Sequence, residues 1–238
     1  MHILFAEIAE KMVITGEDAE HLHVLRPKIG DIMKISDGKG RCCMGKISEI
    51  TKKSVVFDYL EDAEPCSEPK INAVLCCALL KSGKNDYVIQ KAVELGAREI
   101  IFFESKNCVA SEKNDKSERR AKIAMQAAMQ SGREIVPTVR VMTFKEAVEY
   151  TKSFDFKGFL HEKAEASFGQ AIRDHKADGK PLGSAIFMVG PEGGFTENEA
   201  EYARENGIPS LLLGPRILRA ETAPVCALSV IMAAAGEI

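Results

Sequence analysis

Two stretches of the 238-residue chain set residue types capable of chemistry at informative spacings. The first is Gly190-Pro191-Glu192-Gly193-Gly194-Phe195, which follows the apolar run Ile186-Phe187-Met188-Val189 and precedes Thr196-Glu197-Asn198-Glu199. Glycines let a backbone approach a ligand closely. Thr196 and Glu199 have the spacing of a capping box, so a helix N-terminus with free N–H groups should follow the loop. The pattern is neither GxGxxG nor GxxxxGKS/T, which argues against a dinucleotide fingerprint and a Walker A loop. A tight turn ahead of a helix accounts for the same residues without any ligand.

The second stretch runs from Leu211 to Pro224, with a strand ending at Gly214 and a helix starting near Thr222. Proline is tolerated in a first helical turn, so Pro224 fits that start. Arg216, Arg219 and Glu221 stand between the two elements among apolar residues. Arginine there suits an anion or phosphate, or forms a structural pair with the glutamate. The helix that follows, Val225 to Ala235, is apolar all round. That predicts burial on every side, in the core or at a subunit interface.

The elements that must position these loops divide into two sets. A linker is expected at Ala63–Pro69, where prolines and acidic residues cluster. Before it, Ile3–Phe5, Met12–Thr15, Ile32–Ser36, Arg41–Ile47 and Lys53–Leu60 read as short strands, and residues 17–25 as a helix. Asp37-Gly38-Lys39-Gly40 is a hairpin signal. This composition predicts a small β-barrel over residues 1–68. After the linker, Ile71–Leu79 is a nearly continuous apolar run, as a strand buried on both faces requires. Helices are expected at Tyr87–Leu95, stopping at Gly96, and from an Asp115 N-cap to about Ser131. Strands recur at Glu99–Phe103, Phe156–Leu160, Ser184–Val189 and Ser210–Leu213. The alternation places residues 70–238 in the α/β class.

Composition sets limits on what the loops serve. Hydrophobic residues make up 45% and charged residues 28%, which excludes a disordered chain. The longest apolar run is too short to span a bilayer, and residues 1–20 lack a signal peptide's pattern, so no membrane role and a cytoplasmic location are expected. Seven cysteines show no CxxC or metal-ligand spacing, which favours reduced thiols and no metal. The net charge of −3 excludes a broadly basic coat. It is unevenly spread: residues 1–68 carry 9 Lys/Arg against 13 Asp/Glu, and the remainder 23 against 22.

Taken together, Lys81-x-x-Lys84, Ile89-Gln90-Lys91-Ala92-Val93-Glu94-Leu95-Gly96, Gln130-Ser131-Gly132-Arg133, the 190–194 loop and Leu213–Ala223 resemble the 16S rRNA (uracil-N3) methyltransferase family, RsmE, of the SPOUT superfamily. The match covers essentially the whole chain. It implies a SPOUT-type α/β domain with a C-terminal trefoil knot, preceded by a PUA-like β-barrel that binds RNA. It also implies a homodimer and S-adenosyl-L-methionine as methyl donor. Within the barrel, Gly16-Glu17-Asp18 through His21, Val24-Leu25-Arg26 and Gly30-Asp31 fit the family pattern. The family usually has an arginine near position 3, where this chain has Ile3, so no role of that arginine carries over.

The resemblance assigns roles. Val189, Gly190, Pro191, Gly194, Leu213, Gly214, Ile217 and Leu218 would hold the donor, the last two against an adenine face. Uracil N3 is a poor nucleophile until it loses its proton. A carboxylate, Glu192 or Glu221, could act as base, and Arg219 or Arg133 could stabilise the anion. Arg26, Lys81, Lys84, Lys91 and Arg133 would contact the RNA, with Arg119 and Arg120 beside them; each lysine could equally be a solvated surface charge. Gln126, Gln130 and Arg133, at i, i+4 and i+7, would share one polar surface. His161-Glu162 ends a strand, a ligand-facing position or an ordinary loop pair. The partner implied is 16S rRNA in the small ribosomal subunit. The alternatives are methylation of a ribose 2′-hydroxyl by a SPOUT enzyme, or a non-catalytic ribosome-assembly protein that binds RNA.

Overall fold

The computed structural model describes residues 3–64, 67–81, 83–110 and 115–238. The chain forms two compact units. One holds residues 1–68 together with 125–136, and the other holds 69–124 and 137–238. Part of the expected linker (Pro65, Cys66) lies outside the described residues.

The first unit is a five-stranded sheet. Strands β1 (Ile3–Phe5), β2 (Lys11–Thr15), β3 (Ile32–Ser36), β4 (Cys42–Ile50) and β5 (Ser54–Ala63) are ordered β1-β3-β4-β5-β2, with helix α1 (Gly16–Val24) after β2. All pairs are antiparallel except β1 with β3. Alternation along β2 drives the packing: Met12 and Ile14 are buried while Lys11, Val13 and Thr15 face water. They join Leu22, Ile35, Ile47, Val55 and Phe57 in one core, against which Met129 packs.

Residues 125–136 belong to this unit, although their sequence position put them in the second segment. The reason is a buried ionic network. Arg133 pairs with Glu68 at 2.6 Å, and Glu68 also accepts the backbone N–H groups of Glu134 and Ile135. Lys34 pairs with Glu134 at 2.7 Å, Ser36 Oγ donates to the Glu134 carbonyl, and Ser67 Oγ bonds the Glu134 carboxylate. Charges that leave water need partners of this kind.

The second unit is a six-stranded, wholly parallel sheet ordered β11-β9-β10-β6-β7-β8. In chain order its elements are β6 (Asn72–Ala78), α2 (Lys84–Glu94), β7 (Glu99–Glu104), α3 (Ser117–Ser131, whose second half belongs to the first unit), β8 (Thr138–Thr143), α4 (Phe144–Thr151), β9 (Phe156–Leu160), α5 (Phe168–Ala177), β10 (Ser184–Val189), α6 (Glu197–Glu205), β11 (Ser210–Leu211) and α7 (Thr222–Ala235). The central strands β6, β7 and β10 are buried almost throughout, as the continuous apolar runs require.

Three elements escape the sequence pattern. β8 is an edge strand with mixed exposure, so it lacks an apolar run. α4 begins with a full capping box, Thr143 with Glu146, and α5 with a Ser167 cap. Those spacings were readable. Of the burial on every side expected for helix α7, in the core or at a subunit interface, the single chain itself supplies one face. Pro224, Ala227, Leu228, Ile231 and Met232 form its buried face, while Val225, Cys226, Ser229 and Val230 are only half-buried.

The strand order contains a reversal beside the site. After β6 the chain moves outward through β7 to β8, and after β10 it moves the opposite way to β11. The crevice beyond the carboxyl ends of two such neighbours is where open parallel sheets bind ligands. Close packing beside it depends on Gly158 in β9. A Cβ there would come within 2.5 Å of Leu211 Cδ1 in β11. Gly158→Ala is therefore expected to cost about 1–3 kcal/mol by overpacking and to weaken ligand binding by displacing the loop that β11 carries. Thermal melts with calorimetry would check both effects.

Candidate functional site

A cleft of about 530 Å³ opens at the carboxyl ends of β9, β10 and β11. Its walls come from three connections: Leu160–Lys163 after β9, Val189–Phe195 after β10, and Leu212–Leu218 after β11. The third connection is drawn against the segment after β9, because Leu212 N–H donates to the Ala166 carbonyl (2.7 Å) and the Leu212 carbonyl accepts from Phe168 N–H (2.9 Å).

The Val189–Phe195 loop is braced from several sides. Gly194 adopts φ +67°, a conformation glycine takes without strain, and its N–H closes a turn onto Pro191. The Asn107 amide donates to the carbonyls of Gly193 and Gly194 at 3.2 and 3.1 Å. Phe195 stacks on Phe103 and meets Phe159 edge-on, which ties the loop to the core. The Thr196–Glu199 capping box forms as the spacing predicts, and Glu199 also accepts the Lys106 N–H.

Burial alone would push the Glu199 carboxyl up. Hydrogen bonds from the backbone of Thr196 and Lys106, and from the side chains of Thr196 and Ser105, outweigh it and hold the group below its ordinary value of 4.5. A carboxylate depressed on folding contributes stability that is present above its unfolded value and lost as pH falls through the folded one. Stability should therefore be full above the ordinary value of 4.5 and fall as the pH drops below it. Glu199→Gln should flatten that part of the profile, as denaturant midpoints across the range would show.

Glu192 and Glu221 converge on one ammonium group. Lys84 Nζ lies 3.2 Å from Glu192 Oε1 and 2.9 Å from Glu221 Oε2. Burial would raise the Glu192 carboxyl, but its own backbone N–H, the Lys81 N–H and Lys84 together hold it low. Glu221 is held low by Lys84 first and by its own N–H, with Arg219 adding a smaller attraction. Lys84 is pushed up, chiefly by Glu221 and, against desolvation, by Glu192.

The eight residues expected to hold a donor, Val189, Gly190, Pro191, Gly194, Leu213, Gly214, Ile217 and Leu218, all line this cleft, as does Glu192. Among the described residues, the backbone N–H groups of Leu213, Gly214, Arg216, Ile217 and Leu218 have no hydrogen-bond partner. Ile217 is 86% exposed on the lip. Unpaired donors beside uncovered apolar surface suit a flat heterocycle with polar edges, and the volume suits a nucleoside-sized ligand. Arg219 is exposed beside the third connection, and its guanidinium has no hydrogen-bond partner among the described residues.

Other expected residues stand elsewhere. Arg133 belongs to the first unit, is 3% exposed and is paired with Glu68, so its guanidinium does not line the cleft. Gln126 and Gln130 precede it on α3. Lys91 pairs with Glu94, Arg119 pairs with Asp86, and Arg120 is 5% exposed over the Phe102 ring. Lys81 is exposed, as is Arg26 in a left-handed turn (φ 54°) of the first unit. His161 and Glu162 do line the cleft. Asn107 and Phe195 have supporting roles that no local motif signalled.

No three His, Cys, Asp or Glu side chains group as metal ligands among the described residues, and no helix there is long and apolar enough to cross a membrane. The six described cysteines are free thiols. Burial pushes Cys76 and Cys77 far up, which keeps them protonated.

Comparison with known proteins matches both units. Residues 67–232 fit the model of an RNA methyltransferase domain, and residues 14–58 that of an RNA methyltransferase PUA domain. The ribosomal RNA small subunit methyltransferase E of Bacillus subtilis is 34% identical over 232 residues, 94% of this chain and 91% of that protein. The enzyme of the same name from Mesomycoplasma hyopneumoniae is 34% identical over 172 residues, 71% of this chain and 72% of its own. Among solved structures, the Neisseria gonorrhoeae ribosomal RNA small subunit methyltransferase E bound to S-adenosyl methionine superposes with a TM-score of 0.85. It is 29% identical, covering 98% of this chain and 97% of that one. With a model match across most of its length and a full-length relative above 30% identity, the chain belongs to the RNA methyltransferase family that includes ribosomal RNA small subunit methyltransferase E.

Proposed function

We propose that the protein transfers the methyl group of S-adenosylmethionine to N3 of a uridine in 16S rRNA of the small ribosomal subunit. The observation that carries this reading is the cleft, where unpaired backbone donors and the uncovered Ile217 meet at the ends of three parallel strands. The donor brings an already activated methyl group, so the protein's task is orientation and charge stabilisation. Val189–Gly194 and Leu213–Leu218 hold the donor through backbone contacts. Arg219, exposed at the entry to α7 just outside the residues that line the cleft, receives the charge that develops on the uracil carbonyl oxygens as N3 loses its proton.

Glu192 and Glu221 are weaker candidates for the base than their sequence positions suggest. Glu192 is held low by its own N–H, the Lys81 N–H and Lys84, Glu221 is held low by Lys84 first, and a carboxylate of lowered pKa accepts a proton less readily. Arg133, committed to Glu68, serves the architecture of the first unit. RNA docks through exposed cations, Lys81 and Arg26 among them, with the target base turned out of its stack into the cleft.

The reading includes a trefoil knot, supported by the bonds of Leu212 to Ala166 and Phe168, and closure of the five-stranded sheet into a PUA-like barrel over residues 1–68. It also includes a cytoplasmic homodimer, supported by the half-buried apolar side of α7. The test is mass-spectrometric mapping of methylated nucleosides in small-subunit rRNA with and without the protein. Loss of 3-methyluridine is the expected result. Loss of a 2′-O-methyl nucleoside instead, or an unchanged profile, overturns it.

A further inference from the structure

Lys84 is the first residue of α2, directly after Gly83 at the helix N-cap. A helix N-terminus carries partial positive charge, so an ammonium group there is unfavourable to the helix. Lys84 is nevertheless held in place, by carboxylates from two connections that leave the sheet in opposite chain contexts. Glu192 lies after β10, and Glu221 lies after β11 at the start of α7. The ammonium is 31% exposed and its partners 25% and 17%, so the three groups are partly shielded from water. Lys81 N–H adds a bond to the same Glu192 oxygen. The contact sits beside β6 and β10, the neighbours at which the strand order reverses.

We propose that Lys84 is a positioning residue that clasps the two donor-binding loops together across the reversal of the sheet, not a contact to RNA phosphate. The physical reason is charge balance. Two carboxylates that share one cation attract it and repel each other. With Lys84 present the loops carrying Glu192 and Glu221 are drawn to one point. Without it, the same two carboxylates push those loops apart, and the cleft walls formed by 189–195 and 212–218 lose register. The lowered carboxylates and raised ammonium keep all three groups ionised from about pH 5 to pH 10, so the clasp is closed throughout that range. The inference rests on the donor-site reading of the cleft for its effect on catalysis, but the mechanical link between the loops stands apart from it.

The experiment compares the full-length protein with Lys84→Met, Lys84→Arg and the double variant Lys84→Met/Glu221→Gln. Amide hydrogen exchange is measured on the protein alone. S-adenosylmethionine binding is followed by calorimetry, methylation by KM and kcat, and rRNA affinity against salt. Lys84→Met should speed exchange in both loops and raise the S-adenosylmethionine KM about threefold, the scale of losing a partly exposed ion pair. Its rRNA salt dependence should be unchanged. Lys84→Arg should recover most of the loss. The double variant should be better than Lys84→Met, because it removes the repulsion that remains.

Faster exchange in only one loop, or in neither, overturns the clasp. So does an unchanged KM accompanied by a salt slope lower by about one, the signature of a lost phosphate contact. A wild-type protein that binds no S-adenosylmethionine refutes the donor-site reading instead, and a coupled response of both loops would still support the clasp. Should Lys84→Met fail to fold, Glu221→Gln alone must speed exchange in the 190–195 loop as well as its own, or the proposal falls.

Discussion

Arg219→Lys lowers turnover by about 10²-fold, the typical effect of removing one preorganised donor at a developing anion, while S-adenosylmethionine affinity stays within about twofold. The expectation follows from where charge appears in the reaction. Removing the N3 proton of uracil spreads negative charge over two carbonyl oxygens. A planar guanidinium can meet such a pair with parallel N–H groups, whereas an ammonium offers a point charge. The Arg219 side chain is exposed and has no hydrogen-bond partner among the described residues, so it is available to a substrate. Its backbone carbonyl accepts from Thr222 and Ala223, which fixes the residue at the entry to α7. Single-turnover kinetics with calorimetry separate the two effects. Unreduced turnover with unchanged donor binding would remove Arg219 from the role.

Arg133→Ala should be the most destabilising of these substitutions, at about 3–5 kcal/mol, the usual cost of leaving one partner of a buried ion pair alone. Arg133 is 3% exposed, its Nη2 lies 2.6 Å from Glu68, and the neighbouring Glu134 is 1% exposed and paired with Lys34. Among the described residues, removing the guanidinium leaves the Glu68 carboxylate with the two backbone N–H groups of Glu134 and Ile135. Replacing both partners by methionine should cost much less, because no orphaned charge is left behind. Urea unfolding of the two variants decides the matter. If Arg133→Ala left the midpoint unchanged and weakened rRNA binding alone, Arg133 would be an RNA contact and not an architectural pair.

Much of the second unit was legible because its signals are local. A strand buried on both faces must be apolar along its buried length, and β6, β7 and β10 are apolar apart from Asn72, Glu99, Glu104 and Ser184 at their ends. A capping box needs only four residues, and Thr196 with Glu199 forms one. β8 was missed because an edge strand needs no continuous apolar run. Residues 125–136 were assigned to the second segment, since nothing in α3 shows that Arg133 and Glu134 find Glu68 and Lys34 far upstream in the chain.

By itself, the sequence determined the alternation of strands and helices, the two glycine-bearing loops and, through motifs spread along the chain, the family. Each of those is written in neighbouring residues, where backbone conformation and apolar periodicity act. Only the tertiary structure decided which charges are paired internally and which stay in solvent. Lys84, Arg133 and Arg219 are alike in sequence terms, cations inside family motifs. The strand order brings Lys84 to Glu192 and Glu221, the first unit encloses Arg133 with Glu68, and Arg219 stays in solvent. Electrostatic roles depend on distance and burial, and both are set by residues far apart in the chain.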